Sequence, residues 1–133
     1  MIPQSEWKWS GHAGHLCVGR WCRFHLHTQV GRVIVSTVGE YLHPRHGGGS
    51  EQAEAEYLKK HGYEEIGCGR KYETMVFMAG RPCDAPGCRC GFPTHNGREE
   101  DSAAYNDAKS ANEGHMEMCL KWAAKQEYIE WSE

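Results

Sequence analysis

The sequence predicts one α+β domain over residues 1–133: a small antiparallel sheet of about four strands in two hairpins, a short helix and a long C-terminal helix, stapled by zinc. Three observations predict it. Two runs rich in β-branched and aromatic residues flank Gly31, and small and apolar residues step by three or four near the C-terminus. Seven cysteines and nine histidines accompany a thin aliphatic core.

The first hairpin is GRWCRFHLHTQ and RVIVSTVGEY, with Gly31 where a tight turn needs it. Strict alternation in its first strand puts Cys22, Phe24 and Leu26 on one face and Trp21, Arg23, His25 and His27 on the other. HPRHGGGS then breaks the chain. Ser50 caps a short helix to about Lys60, with Glu51 and Glu54 in its first turn and His61-Gly62 as its stop. A second hairpin is expected from YEEIG to RKYETMVFM, turning at Cys68-Gly69. The long helix is expected from about Ser102 to Trp131, with Gly114 the one point where a break is open, and with Ala104, Ala108, Ala111, His115, Cys119 and Trp122 on one face.

Leu, Ile, Val and Phe together make 18 of the 133 residues, about 14% against the ~20% below which chains tend to be disordered. A net charge of only −3, with five Trp and six Tyr, argues for a folded domain that leans on large aromatics and a staple. The N-terminus shows no basic segment followed by an apolar run, and no stretch is long enough to span a membrane. A cytoplasmic, reducing setting is therefore expected, in which clustered Cys and His are metal ligands rather than disulfides. Residues 1–49 carry five basic against two acidic side chains, and the remainder ten against sixteen. With a pI of about 6.3 the charge does not favour nucleic acid as a partner, although a basic, histidine-rich N-terminal face leaves it open.

RPCDAPGCRCGFP puts Cys83, Cys88 and Cys90 into eight residues that can be neither helix nor inner strand. Zinc takes four tetrahedral N or S ligands, commonly some from a turn and some from one helix face at i and i+4. His115 and Cys119 have that spacing, so five candidates serve four positions. A second cluster holds His12, His15, Cys17, Cys22, His25 and His27. Three arrangements stand for it. His12, His15, Cys22 and His25 form a second structural zinc site, which needs a bulge near Arg23; or His25 and His27 join His12 or His15 in an open site that keeps a water; or the histidines are a metal-free surface strand.

Tests for enzyme motifs give little. Pro82-Cys83 followed by another cysteine matches half of a zinc-deaminase signature, but His115-Met116-Glu117 follows the cysteines instead of preceding them, and the Cys83-to-Cys88 spacing is too long. There is no G-x-S-x-G elbow, and GGGS lacks the lysine and spacing of a P-loop. Glu40 and the YEEI acids are available as a general base only in the open-site arrangement.

In the order of CRFHL, VSTVGEY, GYEEIGCGRKYETMVF and GHMEMCLKWA, the chain resembles a group of small uncharacterised proteins encoded by bacteriophages, from about Trp7 to Ala123. That resemblance carries no activity. It implies an accessory protein of the host cell cytoplasm that binds host or defence machinery. The expectation is thus a non-enzymatic, Zn2+-stabilised phage protein that binds a host protein or protein complex. The alternative is a zinc-dependent hydrolase or nuclease with a histidine-rich site on the first hairpin.

Overall fold

The computed structural model describes residues 1–10, 21–43, 50–89 and 92–126, with side chains left aside at Ser10 and at 95–97. Five strands form one antiparallel meander in sequence order: β1 (Lys8–Ser10), β2 (Cys22–Val30), β3 (Val33–Tyr41), β4 (Tyr72–Pro82) and β5 (Pro93–Tyr105). Helix α1 (Glu51–His61) lies between β3 and β4 in the chain, and α2 (Ala108–Lys125) follows β5. No described helix is long and apolar enough to cross a membrane.

The first hairpin forms as its alternation predicts. Its register runs from Cys22 opposite Tyr41 to Val30 opposite Val33, around Gly31 at φ 57°. Thr28 and Val30 face α2, so Arg23, His25, His27 and Gln29 point to the other side. Trp7, Val30, Val33, Val35 and Val76 meet Met118, Cys119, Trp122 and Ala123 in the main core. Gln126 ties the end of α2 to the hairpin turn, accepting from Arg32 N at 2.8 Å and donating to Val30 O at 2.7 Å.

Helix α1 matches its predicted limits. Ser50 Oγ accepts from Ala53 N at 3.1 Å, and Gly62 ends the helix at φ 72°. None of its residues is buried, and an Arg23–Glu54 ion pair links it to β2.

Three expectations change. The second hairpin survives only as a Gly67–Arg70 turn at Cys68-Gly69 and one bridge from Glu64 to Tyr41; β4 pairs instead with β3 and β5. The sheet gains β5, a polar edge strand whose order comes from pairing rather than intrinsic preference. Helix α2 therefore starts at Ala108, where Asp107 Oδ1 accepts from Ser110 N at 2.8 Å, and runs through Gly114 unbroken. A Cβ at Gly114 would stand 2.1 Å from the Tyr105 ring, so this glycine admits an aromatic side chain from β5.

Asp101 fastens β5 to the helix by accepting from Lys121 Nζ at 2.6 Å and Trp122 Nε1 at 3.0 Å. Its partial burial raises the carboxyl pKa, but the Lys121 and Trp122 hydrogen bonds outweigh this and hold it below the usual range. Asp101→Ala should lower stability by about 1–2 kcal/mol in urea unfolding, because Trp122 loses the acceptor for its buried N–H. A change below a few tenths would show the pair to be an ordinary surface contact.

Candidate metal centre and buried polar network

On the α2 side, the sequence sets a histidine and a cysteine one turn apart, and both face inward. His115 is 1% exposed. Its Nε2 lies 2.8 Å from Thr28 Oγ1 on β2 and its Nδ1 2.7 Å from Thr37 Oγ1 on β3, which in turn lies 2.6 Å from Thr74 Oγ1 on β4. A neutral imidazole donates at one nitrogen and accepts at the other, so either tautomer serves both threonines. Burial, with a smaller contribution from His27 across the sheet, pushes the ring down to about 4 and keeps it neutral near pH 7.

The hydroxyl of Thr28 also bonds Cys119, whose thiol burial nonetheless pushes up to about 12. One helix is thus joined to three strands through polar groups inside an apolar layer. Trp9 lies over this network from the edge strand, its ring 6.0 Å from those of both His115 and Trp7.

The cysteine loop is built at the far end of β4 and β5. Cys83 N donates to Phe92 O at 2.7 Å, and Thr94 Oγ1 donates to Arg81 O at 2.8 Å, which together close its base. Inside it, Pro86 and Gly87 at φ 79° form a turn in which Cys88 N donates to Ala85 O at 2.9 Å. Cys83 and Cys88 are half-buried and not disulfide-bonded. Register shifts after Val76, Phe77 and Ala79 curl this end of the hairpin. Phe92 consequently reaches His27 on β2, beyond β4 and β3, with ring centroids 5.5 Å apart.

His27 and Thr28 are consecutive in an unbroken ladder, so they point to opposite faces. The base of the cysteine loop therefore sits on the side of the sheet away from α2. The structure places His115 and Cys119 on one face and the Phe92 ring on the other, with the sheet between them.

The remaining candidates divide. Cys22 is 6% exposed beside Val38, Tyr41 and Ile66, and burial, against a weaker Gly39 backbone hydrogen bond, pushes its thiol up to about 11. His25 Nε2 lies 2.5 Å from Cys22 O. His27 is 3% exposed, directly opposite Ser36 on β3. His12, His15, Cys17 and Cys90 lie outside the described residues. Among the described residues, no three His, Cys, Asp or Glu side chains converge as a metal cage.

The sequence reading missed the threonines and Ser36. Thr28, Thr37 and Thr74 sit in β-rich runs where threonine is an ordinary strand former, and only the inward parity of Thr28, shared with Cys22, Phe24 and Leu26, signals burial. No known protein family matches the chain, and neither does any curated protein or solved structure.

Proposed function

We propose that the protein is a non-enzymatic binding module whose cysteine loop is stapled by zinc, and that it acts as a phage accessory protein on a protein or protein complex of the host cell. The supporting observation is the loop itself. Cys83 and Cys88 are held at a tight turn, half-buried, on a hairpin end that has backbone closure but few apolar side chains of its own. A structural metal supplies the free energy that such a segment lacks. The phage and host parts of the reading rest on the resemblance of the quoted segments.

Binding is supported by Trp9, which is 51% exposed on the edge strand yet backed by Trp7. Exposed tryptophans held in a fixed orientation are the side chains that most often carry interface energy. The hydrolase alternative has less support, because His25 is engaged by a backbone carbonyl and His27 is buried, where an open site needs accessible imidazoles.

The test compares Cys88→Ser with His25→Ala. The expected result is that Cys88→Ser loses the bound zinc and melts lower, while His25→Ala keeps both, and the wild type turns over no ester or phosphodiester. Zinc-dependent turnover that His25→Ala abolishes would replace this reading with the hydrolase.

A further inference from the structure

Resting on the zinc reading, we infer that the residue of the sheet that completes the loop's metal centre is His27, and that Ser36 holds the ring nitrogen of His27 that does not ligate. Two independent observations point there. The first is position. The loop meets the sheet at His27, through the Phe92 ring at 5.5 Å and the Cys83 N to Phe92 O bond at 2.7 Å.

The second is a buried polar group that the fold leaves without a partner among the described residues. Ser36 is 2% exposed, and its hydroxyl has no hydrogen-bond partner among the described residues. A buried hydroxyl left so is destabilising, and a partner arriving with a ligand would recover that loss. Ser36 stands directly across from His27 on the same face, where a ligating histidine needs an acceptor for its second N–H.

The competing pair is already committed. His115 uses both ring nitrogens on threonines, and Cys119 is bonded by Thr28, so ligation there would break the links between α2 and the sheet and still require the loop to cross it. On the His27 face, Cys83 and Cys88 supply thiols from the adjoining loop. They do not form a closed cage with His27, so metal binding draws the loop inward. Each thiol that ligates releases its proton to solvent as the sulfur–metal bond forms.

Cobalt(II) titration of the chelator-treated full chain tests this, read by the thiolate-to-metal charge-transfer bands and the visible bands of tetrahedral cobalt. His27→Gln is expected to weaken cobalt binding at least ~100-fold and Ser36→Ala about 10-fold, whereas Cys119→Ser leaves the spectrum and affinity unchanged. Should His27→Gln fail to fold, Ser36→Ala and the zinc X-ray absorption edge of the wild type decide, the latter showing a nitrogen shell at ~2.0 Å beside the sulfurs. Wild-type affinity in both His27→Gln and Ser36→Ala, or loss of cobalt in Cys119→Ser, overturns the assignment while leaving the zinc reading intact. A wild type that takes up no cobalt and no zinc removes that reading and this inference with it.

Discussion

Replacing His115 with alanine should cost about 3–5 kcal/mol of unfolding free energy, with the urea m-value unchanged. Two losses add. The fully buried ring leaves a cavity at the centre of the α2 interface, and Thr28 and Thr37 each lose the partner that their hydroxyls have inside it. Thr37→Val separates the second loss from the first, since it keeps the volume and removes one bond to the ring and one to Thr74. It should cost about 1–2 kcal/mol. A His115→Ala cost under about 1 kcal/mol would mean that the helix is held by its apolar residues alone.

Acidification should unload the same residue. A group whose folded pKa lies below its unfolded value favours the folded state most when it is deprotonated in both. For His115 the stabilisation is complete above the unfolded value near 6.5 and is lost as the pH falls towards about 4, because the unfolded chain takes up the proton first. The shift corresponds to roughly 3 kcal/mol across that window. Asp101 acts lower, because its depressed carboxyl contributes above the ordinary carboxylate pKa and loses its effect as the pH falls below that range. Urea midpoints between pH 7 and 4 should therefore fall in the wild type and flatten in His115→Gln. Equal slopes in the two proteins would show that the imidazole titrates in the folded state as it does in water.

The first hairpin was legible because its alternation is strict and a glycine stands at its turn. The faces assigned to Phe24 and Leu26, and to His25 and His27, are those of the structure, whereas Cys22 at the strand end clusters with Val38, the cross-strand partner of His25. Helix α1 was legible from Ser50 and Gly62. Strand β5 was not, since NGREEDSA reads as a loop or helix start and becomes a strand only by pairing with β4. The small residue Ala104 extended the helical period backwards by accident, and Asp107 was the better sign of where the helix begins.

The inward face of α2 could be read from the spacing of His115 and Cys119, but what it meets could not. Helical periodicity reports burial and says nothing of the partner, so a histidine among threonines and a histidine on a metal look alike in sequence. The same ambiguity hid the side of the sheet on which the cysteine loop closes. That depends on the register shifts of β4 and β5, which carry Phe92 over to His27. The aliphatic deficit is accounted for in part by the polar links through His115 and by the aromatic cluster at Trp7 and Trp122.

The zinc staple is tested most directly by the metal content per chain, measured by elemental mass spectrometry on protein purified without chelator or histidine tag. About one zinc per chain, lost in Cys88→Ser, is the predicted result. A wild type that carries no metal, and melts at the same temperature with and without added zinc, would contradict it.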